Sequence, residues 1–221
     1  MPARIHVLCP LEIERRAAAR ALGSRAHVLR TGPGAEATRR AVESRDSDRV
    51  SLVVLFGVAG ALGATEPAPP IGAVVDAETG ERWTPSVIPP GPCSTIAGVT
   101  EPAWTADSKR DLAARTCADL VDCESHAFAC ACVAAGLRWA IVRGVSDGPE
   151  TALPPESARW VDANGATRPG RVMLDLLRQP ALTPVVLRLG RTTSRALRAA
   201  AARLDAMLDA AGPTIGRDAD G

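Results

Sequence analysis

With 221 residues and 26 Lys+Arg against 25 Asp+Glu, the chain is long enough to bury a sizeable core as one domain, and a net charge of +1 leaves no basic footprint for nucleic acid. Its start, MPARIHVLCPLEIERR, lacks the apolar stretch of a secretory leader, and no later run approaches the roughly 20 apolar residues that cross a bilayer, so a cytoplasmic setting is expected. The cysteines Cys9, Cys93, Cys117, Cys123, Cys130 and Cys132 form no CxxC pair and have no histidine at zinc-finger spacing; no metal and no disulfide framework is expected, and they read as small buried apolar residues.

Apolar runs alternate with helical patterns from the start: IHVLC, a helix from Leu11 to about Leu22, a short AHVL, a helix after Gly34, then VSLVVLF. Such alternation favours a sheet with helices packed on it. From Gly57 to about Pro102 the chain is rich in Gly and Pro, with short strands such as IGAVVDA and RWTPSVI and no helical pattern, so this part is expected to curl as a loop-rich part of the same sheet. Helical signals return at TADSKRDLAART, with Asp107 the expected N-cap, followed by strand ADLVD, helix ESHAFACACVAAG closed at Gly136, and strand LRWAIVRGV. The tail from about Arg171 reads as helical to Asp209 with breaks near Pro180 and Pro184, which gives a folded domain over residues 1–211 and a frayed end over 212–221. Lys109 is the only lysine and tyrosine is absent, a pattern that reads as codon bias.

Two acids stand out, because ligands of open α/β sheets bind beyond the carboxyl ends of strands and Glu124 and Asp147 both fall there. Glu124 follows ADLVD and opens a helix, whose first N–H groups would hold it ionised. Asp147 follows WAIVRGVS at the edge of the core, where partial burial would let it carry a proton at neutral pH. One acid to accept and one to donate suits acid–base chemistry. Either acid taken alone is more often a helix cap than a catalyst.

The segment VDCESHAFACACVAAGLRWAIVRGVSD, from Val121 to Asp147, resembles the paired signature of the purine nucleoside phosphorylase and nucleosidase superfamily: acidic-x-Glu-Ser/Ala, then Arg-x-hydrophobic-Ser-Asp. In chain order, VLCPLEIER resembles that family's first strand and catalytic loop, TGPGAEATRRAV its second Gly turn, and VVLFGVAGALGA its Gly-x-Ala-Gly-Gly-Leu motif. VDCESHAFA, RGVSDGPETALPP and the tail PGRVMLDLLRQPALTPVVLRLGRTTSRALRA are most similar to the hopanoid-associated phosphorylases. The resemblance implies a single-domain three-layer α/β/α fold with a mixed, partly barrel-like central sheet. It implies cleavage of the N-glycosidic bond of a purine ribonucleoside with release of adenine and, from the hopanoid branch, phosphorolysis of an adenosylhopane-like lipid nucleoside. A homo-oligomer is implied too, with no cofactor and with inorganic phosphate as a co-substrate. The alternatives are a phosphate-independent nucleosidase of the methylthioadenosine/S-adenosylhomocysteine type and a non-catalytic nucleoside-binding domain.

Carried over residue by residue, the resemblance places Glu124 on the ribose hydroxyls, Asp147 as general acid toward the purine N7 with Ser146 beside it, and Cys123 against the ribose face. Gly60 joins these as a substrate-binding position. Glu14 falls where nucleosidases carry the glutamate that activates water, with Glu12 a near neighbour. Gly turns at Gly32, Gly34 and Gly57 would cradle phosphate with backbone N–H groups. Against phosphate, Val58 stands where many relatives have a serine and Leu55 where some phosphorylases have an arginine; Arg15, Arg16 and Arg39 are the candidate replacements. Arg143 reads as the partner of an acid or a helix end, Trp139 as core, His126 as structural, and Trp104 as the one aromatic to test against the base. On a helical wheel Arg188, Arg191, Arg195 and Arg198 share one face and Leu189, Leu197, Leu204 and Leu208 the other. That pattern fits a core-packed helix with a solvated basic back, or one resting on anionic membrane headgroups.

Overall fold

The computed structural model describes residues 4–45 and 49–215. In chain order the elements are β1 (Ile5–Cys9), α1 (Glu12–Leu22), β2 (His27–Arg30), α2 (Ala35–Glu43), β3 (Leu52–Ala61), β4 (Ile71–Asp76), β5 (Arg82–Trp83), β6 (Ser94–Gly98), α3 (Ala106–Thr116), β7 (Leu120–Asp122), α4 (Ser125–Ala134), β8 (Trp139–Asp147), α5 (Pro169–Arg178) and α6 (Thr183–Ile215). The alternating pattern and the helix-free middle are as expected from the sequence.

The strands form one mixed sheet in the order β2-β1-β3-β7-β6-β4-β5, with β8 also paired to β3. Strand β3 is its hub. It runs parallel to β1 and to β8, and after an irregularity between Ala59 and Gly60 its last residues, Gly60 and Ala61, pair antiparallel with β7. A bulge of this kind bends a strand and re-aims it, and here it brings the ends of β3, β7 and β8 to one place.

Alternation along β3 defines the layers. Val53 and Leu55 pack with Val42 of α2 and with Phe128 and Cys132 of α4, whereas Leu52, Val54 and Phe56 pack with Ala18 and Leu22 of α1 and Leu197, Leu204 and Leu208 of α6. Strand β8 repeats the division, with Trp139 and Ile141 on the first side and Ala140 and Val142 on the second. Trp139 is core, edge-on to Phe128 at 5.9 Å between ring centroids. Each leucine that α6 buries contributes about 1.5–3 kcal/mol, and the helix can lie so close to β8 because Gly144 has no Cβ, which would run into the Ala196 carbonyl. Arg188, Arg191, Arg195 and Arg198 all face solvent.

Several local expectations are corrected. Helix α3 is capped by Thr105, whose Oγ1 accepts the Ser108 N–H at 3.1 Å, and not by Asp107, which already lies inside the first turn. The RWTPSVI strand shrinks to Arg82–Trp83, since Pro85 cannot donate to a ladder. Pro184 does not break α6; it sits in the first turn, where no N–H is needed. Cys9 and Cys132 are buried, but Cys93, Cys117 and Cys130 are exposed, Cys117 as a left-handed C-cap with φ 55°. The backbone of α6 continues through Ile215, and residues 216–221 of the expected frayed end lie outside the described residues. Among the described residues no helix is long and apolar enough to cross a membrane.

Candidate active site

The first group of acids gathers where α1 begins. Glu14 sits in its first turn and reaches back to accept the Leu11 N–H at 2.8 Å, one half of a capping box, while its other oxygen accepts the Val58 N–H at 3.0 Å. Gly57 of β3 forms the floor beneath it: a Cβ there would collide with both the Glu14 carboxylate and the Arg143 guanidinium. Arg143, on β8 and fully buried, donates from Nε to Asp122 at 2.8 Å, and its Nη2 lies 2.6 Å from Asp122 and 3.1 Å from Glu124. Asp122 also accepts the Ser125 N–H at 2.9 Å and the Ser125 hydroxyl at 2.6 Å, which starts α4. Glu124 Oε1 accepts the Gly34 N–H, at the head of α2, at 2.9 Å.

Three buried carboxylates therefore share one guanidinium, whose Nη1 makes no hydrogen bond. The consequence falls on Glu14. Burial, opposed by Arg143 and reinforced by the Glu124 charge, pushes its carboxyl from the ordinary 4.5 up to about 7. Burial also raises Glu124, with Arg143 and the Gly34 N–H pulling the other way, so the helix dipole alone does not set its ionisation as the sequence suggested. For Arg143 burial disfavours the charge, but Asp122, Glu124 and Glu14 outweigh it and hold the guanidinium charged. Glu12 is different in kind. It points outward to Arg15 and Arg16, whose hydrogen bonds hold it down at about 2.

The second group lies three residues further along β3, about 10 Å at ~3.3 Å per residue. Asp147 ends β8 beside Gly60, where a Cβ would sit 3.0 Å from its Oδ2. Its Oδ1 accepts the Ser146 hydroxyl at 2.7 Å, and its Oδ2 is paired with Lys109 of α3. The Lys109 ammonium also donates to the carbonyls of Gly148 at 2.8 Å and Thr151 at 3.1 Å. The sequence led us to expect a lone half-buried acid; the structure pairs it with a buried ammonium.

Asp147, Lys109, Gly60, Asp122 and Cys123 line one cavity of about 70 Å³ together with Val99, Pro102, Ala103 and Leu153. This is well below the ~300 Å³ at which ligand pockets begin. Burial and the neighbouring Glu124 and Asp122 push the Cys123 thiol up, so it stays a neutral, soft contact surface. Glu124 and Glu14 do not line this cavity; they stand around Arg143, so the two acids that the sequence places together beyond the strand ends, Glu124 and Asp147, meet different surroundings. Gly32 does not open onto it either, since its missing side chain faces the Ala163 carbonyl.

The expected phosphate cradle is likewise occupied by protein. Gly34 gives its N–H to Glu124, and Gly57 supports Glu14 and Arg143. Arg15 and Arg16 hold Glu12, and Arg39 pairs with Glu36 and Glu43 on its own helix. Trp104 takes part through its carbonyl, which accepts the Leu153 N–H at 2.9 Å, and His126 packs over Gly98. Sequence reasoning missed Lys109 and gave Asp122 no role. The available signals were a single lysine among arginines and an acid two residues before Glu124 with a serine after it.

The fold is that of the nucleoside phosphorylases and nucleosidases, and residues 85–178 match the family described as the phosphorylase superfamily. Among solved structures the chain is similar to futalosine hydrolase of Helicobacter pylori strain 26695, with a TM-score of 0.69 and 14% identity over 94% of this chain and 98% of that one. It is similar also to the Helicobacter pylori 5'-methylthioadenosine/S-adenosyl homocysteine nucleosidase (TM-score 0.66, 13% identity, 94% of this chain and 98% of that one). The MTA/SAH nucleosidase of Streptococcus pneumoniae, in complex with 8-aminoadenine, gives a TM-score of 0.66 at 14% identity over 94% and 99% of the two chains. No curated protein matches the chain in sequence.

Proposed function

We propose that this protein hydrolyses the N-ribosyl bond of a purine nucleoside, with water as the attacking group. The observation that carries the reading is Glu14: buried, held by two backbone N–H groups, and raised to about 7, it has the proton affinity a general base needs at neutral pH. In this scheme Glu14 takes a proton from water as the water oxygen bonds to C1′. The surplus negative charge of Glu14, Asp122 and Glu124 favours the positive charge that develops on the sugar, and Glu124 keeps lone pairs free for the ribose hydroxyls. Asp147, beside Cys123 in the adjoining cavity, faces the departing base. For the base to enter, the Val99–Ala103 and Gly148–Leu153 segments must part, as lids of enzymes do.

The acid-rich surroundings also argue against phosphate, an anion that would meet three buried acids and one guanidinium already engaged by two of them. The similarity to structures of a futalosine hydrolase and of nucleosidases supports the hydrolytic reading. Phosphorolysis of an adenosylhopane-like lipid nucleoside rests on sequence resemblance alone. Adenine release from adenosine and from 5'-methylthioadenosine, measured with and without phosphate, separates the two. Equal rates with free ribose as product are expected; an absolute phosphate requirement with ribose 1-phosphate as product would overturn the proposal, and binding without release would leave a nucleoside-binding domain.

A further inference from the structure

Catalysis of N-ribosyl cleavage needs a proton at the leaving base, and the group placed to face it, Asp147, is already engaged by Lys109. We propose that Lys109 supplies this proton, passing it through Asp147 to the base, an inference that rests on the N-ribosyl reading above. Lys109 is 1% exposed and lines the same cavity as Asp147, Gly60 and Cys123. Its three N–H bonds are fully assigned, to Asp147 Oδ2 and to the carbonyls of Gly148 and Thr151.

The residue type is the second observation. Every other cation of the Lys+Arg set is arginine. Arginine serves where a buried acid has only to be neutralised, as Arg143 serves Asp122 and Glu124. Arginine keeps its proton under all ordinary conditions, whereas a desolvated lysine can give one up. The one lysine of the chain stands at Asp147, whereas Asp122, the other acid lining this cavity, is held by Arg143; Ser146 fixes the other oxygen of Asp147 at 2.7 Å.

The step balances. The C1′–N bond breaks and its electron pair stays with the base; a proton passes from Asp147 to the base nitrogen and from Lys109 Nζ to Asp147 Oδ2, leaving a carboxylate and a neutral amine. At the sugar, the water oxygen bonds to C1′ and its proton goes to Glu14. Exchange with solvent after product release resets Glu14 and Lys109. Lys109 thus acts through Asp147 and is a positioning and proton-supplying residue.

Leaving-group dependence tests this. Lys109→Arg keeps a cation on Asp147 but removes the transferable proton, and should lower kcat on adenosine at least a hundredfold. On p-nitrophenyl β-D-ribofuranoside, whose phenolate departs unprotonated, the loss should be under tenfold. In Lys109→Ala, added primary amines should restore adenosine turnover, more so the stronger the amine as a proton donor. Equal losses on the two substrates by a variant with a wild-type circular dichroism melt, or rescue indifferent to amine acidity, would overturn the proposal and leave Lys109 as a strut for the 148–151 loop. Wild-type protein inert on both substrates would instead refute the N-ribosyl reading itself.

Discussion

The two ends of the candidate site both set buried acids against a buried cation, but in different proportions. Around Gly57, Glu14, Asp122 and Glu124 share Arg143, and burial, reinforced by the Glu124 charge against the pull of Arg143, raises Glu14 to about 7. Around Gly60, one acid meets one lysine. An arginine that cannot release its proton suits the crowded end, where a fixed charge must hold three acids; a lysine suits the end where, on the proposal above, a proton travels. The comparison suggests that the ratio and type of cations, more than the acids themselves, divide the labour.

The largest effect should come from breaking the crowded end. Arg143→Met leaves Asp122 and Glu124 buried without their cation, which typically costs about 3–5 kcal/mol; urea denaturation measures it, and a loss under about 1 kcal/mol would mean the acids are better solvated than their burial indicates. Next, Glu14→Gln should lower turnover by about a hundredfold or more. Wild-type activity should rise with pH through about 7, as Glu14 loses its proton, and the glutamine variant should lack that limb. The sign for stability is opposite. The folded value lies above the unfolded 4.5, so the stabilising contribution is complete below pH 4.5 and lost as pH rises through about 7, on the order of 3 kcal/mol in all. Thermal melts from pH 4 to 8 should therefore fall less steeply for Glu14→Gln. The smallest effect sharpens the other end: Gly60→Ala places a Cβ 3.0 Å from Asp147 Oδ2 and 3.4 Å from Val121. Displacing the acid by a few tenths of an ångström should lower kcat roughly tenfold and stability by about 1 kcal/mol.

Much of this arrangement was legible in the sequence. Strand and helix order followed from periodicity; Glu124, Asp147 and Glu14 were singled out by motif, and the structure gathers Glu14 and Glu124 around Arg143 while setting Asp147 apart with Lys109. Glu12 and Glu14 were not separable on paper, because two residues of helix turn one carboxylate outward to Arg15 and the other inward to Val58. Gly34 was assigned to phosphate for a sound reason that has two answers: a helix N-terminus takes an anion, and here the anion is Glu124 from elsewhere in the chain. Lys109 escaped because its partner lies 38 residues away, across a turn of the fold that no local pattern encodes.

Two segments line the cavity at Asp147, residues 99–104 and 148–153. Among the described residues, besides Lys109, one backbone hydrogen bond, Leu153 N–H to the Trp104 carbonyl at 2.9 Å, joins them to each other. On the N-ribosyl reading, a base that enters between these segments meets only the fraction of molecules in which this link is undone, and its apparent Kd is the intrinsic one divided by that fraction. On that reading affinity is set in part by the protein's own equilibrium between shut and ajar, and a proline at position 153, which deletes the donor, would tighten binding through that equilibrium.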